Sequence, residues 1–248
     1  MALFQLRIMR YKGIFIDIDD TLLDYIPCCR EAFDAALANL SVKWSDSVKV
    51  CQCNGLSVED GLFDLFFSIS GRLFSEAKHG LHTVAEVMEL YPIEFCERAG
   101  YPPEAVDPFK HAFRAAWGHT HTLVPQAKET VQALRDKGYR LFAASNSFGH
   151  LQRSRLQHAG LLPFFEDTFI SIDIGYDKPD RRFYEEALRR CNLQPSEVLM
   201  VGDSMTTDIL GAQAAGIDAV FFDRSREQGT KTKDCPTITE LPQLLDLL

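Results

Sequence analysis

The stretch GIFIDIDDTLLD, residues 13–24, sets an apolar run directly against three aspartates. Ile14, Phe15 and Ile16 climb without interruption. Asp17, Asp19 and Asp20 then fall within four positions. Short and isoleucine-rich, residues 13–18 read as a strand buried on both faces, the signature of a parallel sheet's interior. Open parallel sheets bind ligands beyond the carboxyl ends of their strands. The acids therefore stand where negative charge has a use.

Helical spacing follows. In residues 28–40, Ala32, Phe33, Ala36, Leu37 and Leu40 form one apolar stripe. Further helices are expected at about 56–75, 83–99 and 104–116, and no strand signal interrupts residues 24–118. From Leu123 the pattern alternates. Pro125 suits a first helical turn and Gly138 a helix end. Strands are expected at 139–144, 169–172, 198–201 and 219–222. Helices are expected at 149–159, 180–191 and 206–215, with a closing helix from about Thr239 to Leu248. Alternating βα units imply an α/β fold: a doubly wound, Rossmann-like parallel sheet covered on both faces. The expected organisation is a core from residues 1–23 and 119–248, with an all-helical cap inserted at 24–118 and hinges near 20–27 and 117–124. No internal repeat or low-complexity segment is present.

Composition narrows the partners. The chain has 248 residues, is 46% hydrophobic and carries a formal charge of −9. An acidic surface argues against nucleic-acid polymers and anionic membranes. Seven cysteines, an odd number, fit reduced thiols in a cytoplasm. Cys51 and Cys53 could form half a metal site, but no second pair has zinc-like spacing, so plain thiols are expected. No apolar run approaches the ~20 residues of a membrane span, and the basic start lacks a signal peptide's apolar segment. A cytoplasmic protein is expected, its oligomeric state open, a homodimer included.

Next comes what the strand ends deliver. The first gives Asp17, Asp19 and Asp20; the second gives Ser145, Asn146 and Ser147. The loop after the third gives Lys178; the fourth gives Gly202, Asp203 and, further on, Asp208. Two carboxylates ~4 Å apart repel by about 4 kcal/mol at an effective dielectric of 20. Several cannot stay ionised together without cations. Lys178 supplies one charge, and an oxygen-only donor set points to Mg²⁺ for the rest.

These residues resemble the haloacid dehalogenase-like (HAD) hydrolases. The family's four motifs occur in order: Asp17-Ile18-Asp19-Asp20-Thr21, a strand ending in Ser145, Lys178-Pro179, and Gly202-Asp203 through Asp208. The resemblance implies a Mg²⁺-dependent phosphatase acting on a small phosphorylated metabolite. Asp17 would be the nucleophile and form an aspartyl-phosphate. Asp19 would be the general acid and base. The Asp17 carboxylate, the Asp19 backbone carbonyl and Asp203 would hold Mg²⁺. Ser145, the Asn146 amide and Lys178 would bind phosphate, and Asp208 would support them from behind. Family dehalogenases lack the second acid, so Asp19 favours phosphate chemistry. Asp20 departs from the commoner glycine. The Asp-Asp-Thr-Leu form with KPDRRFYEEAL is similar to the branch holding nucleotide and sugar-phosphate phosphatases. A phosphomutase or a non-catalytic binding protein of the same fold is the alternative.

Each residue alone has a plainer reading. Asp17 and Asp19 could serve a turn. Ser145, Asn146 and Ser147 could cap a helix, and Asp208 could face a helix dipole. Lys178 could be a loop lysine. His119 and His121 lack a neighbouring carboxylate and read as solvated linker. Phe63, Phe66, Phe67 and Phe74 read as helix packing, with some free to face substrate. Asp24 and Tyr25, at the first hinge, could touch it too.

Overall fold

The computed structural model describes residues 10–44, 57–224 and 235–248. Cys51 and Cys53 lie outside them. Among the described residues six strands form one sheet: β1 (Gly13–Ile16), β2 (Arg140–Ser145), β3 (Asp167–Ile170), β4 (Val198–Gly202), β5 (Asp218–Phe222) and β6 (Thr237–Ile238). Their order is β3-β2-β1-β4-β5-β6, and every neighbouring pair is parallel. The first strand is thus central, as its unbroken apolar run requires. Chain direction across the sheet reverses beside it, which makes its carboxyl end the topological switch point.

Between β1 and β2 the described residues make four long helices: α1 (Tyr25–Trp44), α2 (Val58–Lys78), α3 (Val84–Ala99) and α4 (Val106–Trp117). Local signals fix their ends. Ser57 caps α2 through the Asp60 N–H, and Thr83 and Glu86 form a capping box on α3. Gly100 ends α3 at φ 83°, a conformation that suits glycine. The helices share an aromatic core in which Phe33, Phe66, Phe95 and Phe109 meet at centroid distances such as 5.1 Å (Phe33–Phe66) and 4.8 Å (Phe95–Phe109). This aromatic cluster is separate from the two that sandwich the sheet.

On one sheet face, Ile14 and Ile16 pack beneath α5 (Ala127–Asp136) and α6 (Gly149–His158). After β3 comes a short α7 (Ser171–Ile174). On the other face, Phe15 packs beneath α8 (Arg181–Cys191) and α9 (Gly211–Ala214), and α10 (Leu244–Leu247) closes the chain.

Several boundaries differ from expectation. The third strand starts at Asp167 and stops at Ile170, where 169–172 was expected; polar Asp167 and Thr168 hide its start, and Ser171 already opens α7. The closing helix shrinks to Leu244–Leu247, because Pro242 imposes a 3₁₀ turn at Leu241–Gln243. Just before it, β-branched Thr237 and Ile238 pair with Phe221 and Phe222 as an unexpected sixth strand. The helix expected at 206–215 begins as a π-helical turn, Met205–Leu210, before α9. Pro125 precedes α5, which starts after Gln126 at φ 61°.

Candidate active site

In β1, Ile16 lies opposite Ala143 of β2 and Val201 of β4. Continuing that register brings Asp17 out level with Ala144 and Gly202. Three strand ends thereby converge, and a fourth residue joins them. Lys178, 4% exposed, donates to Asp17 Oδ1 at 2.6 Å, Asp208 Oδ1 at 2.7 Å and the Ala144 carbonyl at 2.8 Å. All three ammonium protons are used. Burial pulls the Lys178 pKa down, but Asp17 and Asp208 outweigh it and the net shift is upward. The lysine is a fixed positive charge. Asp208 spends its other oxygen on the Ser204 N–H at 3.0 Å. Its approach needs a glycine beneath it: a Cβ on Gly202 would lie 2.3 Å from the Asp208 carboxylate.

The carboxylates of Asp17, Asp203 and Asp208 offer oxygens that all lie within 4.8 Å of one another. Among the described residues this is the one such group of three or more metal-ligating side chains. Burial pushes the Asp17 carboxyl well above its usual range; Lys178 opposes this, and Asp208 and Asp203 add to it. Asp203 is pushed up to about 7, by burial first and then by Asp208 and Asp20. One lysine facing three acids leaves negative charge uncompensated. The donors are all hard oxygens, a set that fits Mg²⁺.

Asp19 projects from the same loop toward α6. Arg155 Nη1 donates to its Oδ1 and Gln152 Nε2 to its Oδ2, both at 2.6 Å. Gln152 also donates to Ser145 Oγ at 2.9 Å, so Ser145 and Asp19 share one tether. The Asn146 side chain turns away from this cluster. It accepts from the Lys178 N–H and donates to the Lys178 carbonyl, each at 2.8 Å, clamping the lysine's backbone. None of Ser145, Asn146 and Ser147 caps α6, whose N-cap is Phe148.

Asp20 adopts φ 59°, which explains why a glycine also suits this position. Its carboxylate accepts from the Tyr25 N–H and from Arg224, both at 3.1 Å. Arg224 also holds Asp24 at 2.8 Å. Asp24 thus anchors the start of α1 to the end of β5, while Tyr25 lines the cavity described next.

A cavity of about 350 Å³ opens over the carboxylates. Its floor is Asp17, Asp19, Ser145, Lys178 and Asp203; its far wall comes from α2, α3 and α4. That wall is largely aromatic and apolar, with Phe67, Phe74, Met88, Tyr91 and Trp117 prominent, and it also carries Ser70, Ser75, Lys78 and Arg114. Phe63, by contrast, packs on Phe33 inside the helical cluster. Asp177, beside Lys178, accepts from the Val84 N–H at 2.9 Å and so bridges the sheet edge to the first turn of α3. His119 and His121 pack against His158, at centroid distances of 4.8 and 6.1 Å, and spend their Nδ1 atoms on backbone carbonyls.

Sequence reasoning missed Gln152, Arg155, Asp177 and, in the wall, Met88, Tyr91 and Trp117; Phe67 and Phe74 belong to the set expected to pack with some members facing substrate. A signal for the first two existed: both interrupt the core-facing side of α6 beside Leu151 and Leu156. The missed wall residues left none, because facing is a tertiary property.

A central Asp on a parallel strand, a buried lysine and two further acids define a hydrolase of the HAD class. The family model for haloacid dehalogenase-like hydrolases matches residues 11–216, and the chain belongs to that family. It is 28% identical to glyceraldehyde 3-phosphate phosphatase of Methanothermobacter thermautotrophicus, over 96% of this chain and 99% of the relative. It is 34% identical to pyrimidine 5′-nucleotidase PynA of Streptococcus pneumoniae, over 97% and 96% of the two chains. Among solved structures, the HAD-hydrolase YfnB of Bacillus subtilis, solved bound to magnesium, superposes with a TM-score of 0.77 at 26% identity, over 96% of this chain and 99% of that one.

Proposed function

We propose that the protein is a Mg²⁺-dependent phosphatase that hydrolyses nucleoside monophosphates through an aspartyl-phosphate on Asp17. The observation that carries this reading is Lys178 pinning one oxygen of Asp17 at 2.6 Å beneath a ligand-sized cavity. A carboxylate so fixed is aimed for in-line attack on phosphorus. Asp17, the Asp19 carbonyl and Asp203 would hold the metal, which supplies the charge that lets two anions meet. Ser145 and the Asn146 main-chain N–H would bind the phosphate oxygens, and Lys178, its three protons spent on Asp17, Asp208 and the Ala144 carbonyl, would lend them its fixed positive charge. Asp19 gives a proton to the departing alcohol, then takes one from the water that attacks the phosphoenzyme. Asp208 holds Lys178 in line.

The helices α1–α4 act as a cap whose wall meets the leaving group. Phe67, Phe74 and Trp117 favour a flat, partly apolar group such as a nucleobase over a bare sugar. The nucleotidase relative supports that choice, and the glyceraldehyde 3-phosphate phosphatase relative supports the broader class of small phosphate esters. Five of the seven cysteines are described, and all five are buried. No described helix is long and apolar enough to cross a membrane.

The test is inorganic phosphate release from a panel of nucleoside monophosphates and sugar phosphates, with Mg²⁺ and with chelator. Turnover should require Mg²⁺ and be fastest on a nucleoside monophosphate. Dependence on a sugar bisphosphate, with little free phosphate, would make the protein a mutase instead.

A further inference from the structure

Arg155 has no role in the account above, yet it is among the largest fully buried side chains in the molecule, with 0% exposure. A buried guanidinium is costly, and an apolar side chain of similar size is often at least as stabilising there. Its placement is specific. Nη1 holds Asp19 Oδ1 at 2.6 Å and Gln152 Oε1 at 2.8 Å. Nε donates to the Thr120 carbonyl at 3.3 Å, in the segment returning from α4. The guanidinium carbon lies 3.9 Å from the ring centre of Trp117, the last residue of α4. Trp117 in turn packs on Tyr25, at the start of α1, with centroids 5.6 Å apart. Both chain crossings between the sheet and the helical unit therefore converge on one arginine.

From these contacts we infer that Arg155, with Gln152 one turn earlier, is a positioning residue that aims the Asp19 carboxyl at the leaving oxygen and ties that aim to both hinges. This rests on the reading of Asp19 as general acid and base. A carboxylate has about four lone-pair sites. Arg155 and Gln152 occupy one on each oxygen from the α6 side, and Asp19 still borders the cavity. In the first half-reaction the bond from Asp17 to phosphorus forms and the phosphorus–alkoxide bond breaks. The Asp19 proton goes to the alkoxide. In the second, water attacks phosphorus, its proton returns to Asp19, and the Asp17 carboxylate is released.

Leaving-group dependence separates aiming from mere packing. An alkoxide needs the proton, whereas p-nitrophenolate departs largely without it. The value of kcat/KM reports steps up to phosphoenzyme formation. The comparison uses p-nitrophenyl phosphate and the alkyl monoester most active in the panel. Arg155→Met should lower kcat/KM for the alkyl ester by about 100-fold and for the aryl ester by no more than about 5-fold, within the usual range of general acid catalysis. Arg155→Lys should restore part of the difference. On an Asp19→Asn background, Arg155→Met should add less than about 3-fold. Should Arg155→Met fail to fold, Gln152→Leu carries the same comparison. Equal losses on both esters, or no loss on either, would overturn the inference. A wild-type protein that releases phosphate from neither ester would instead overturn the proposed function and this inference with it.

Discussion

The sheet edge and the helical wall face each other across one cavity and obey different rules. The edge is polar, with a partner for nearly every charge: Lys178 serves Asp17 and Asp208, Arg155 serves Asp19, and Arg224 serves Asp20 and Asp24. The wall is a continuation of an aromatic core, held by ring-on-ring packing. At the edge, a substitution unbalances charge in a dry place. At the wall, it changes shape and apolar area. The difference teaches that, on the proposed function, chemistry and selectivity would reside on separate, separately mutable surfaces.

The largest expected effect breaks the edge. Asp17→Asn should lower turnover by about a thousandfold or more, since the proposed nucleophile is gone. Thermal unfolding should show the fold intact. Steady-state phosphate release checks the first, and calorimetry the second.

Next, Lys178→Ala should destabilise the protein by about 3 kcal/mol or more, because it leaves Asp17 and Asp208 buried and facing each other. Denaturant titration measures this. A loss below about 1 kcal/mol would mean that the acids simply protonate. The wall should respond differently: Phe74→Ala should raise KM for a nucleoside monophosphate by about tenfold, the scale of one lost aromatic contact, and change kcat little. A small sugar phosphate should barely register the change. An equal effect on both would place substrate elsewhere.

The smallest effect concerns pH. Asp203 titrates near 7 in the folded chain, well above an unfolded aspartate. Its protonated form therefore stabilises the metal-free fold at low pH, and that contribution is lost as pH rises through about 7. A divalent cation should compensate where the acids are ionised. Saturating Mg²⁺ should raise Tm more at about pH 8 than at about pH 5.5. An equal rise at both would separate the metal from Asp203.

The edge was largely legible in the sequence because its logic is one-dimensional. An apolar strand ends, and the next residue is at the ligand face. Asp17, Ser145 and Asp203 follow that rule, and Lys178 follows a loop after it. Asn146 shows its limit: the position was legible, but the side chain's commitment to the Lys178 backbone was not. Arg155 shows another. An arginine in a helix reads as solvated, and only the packing of α6 against Asp19 and Trp117 shows it buried. The sixth strand was missed because two residues carry too little pattern, and the edge of the sheet supplied the partner.

The most direct measurement traps the bond to phosphorus. The enzyme is acid-quenched during turnover of its best substrate, treated with borohydride and digested, and the peptide spanning residues 13–24 is sequenced by mass spectrometry. An acyl phosphate on Asp17 reduces to homoserine, and conversion at position 17 alone is the expected result. Conversion at Asp19 or Asp203, or none in a sample that is releasing phosphate, would contradict the account.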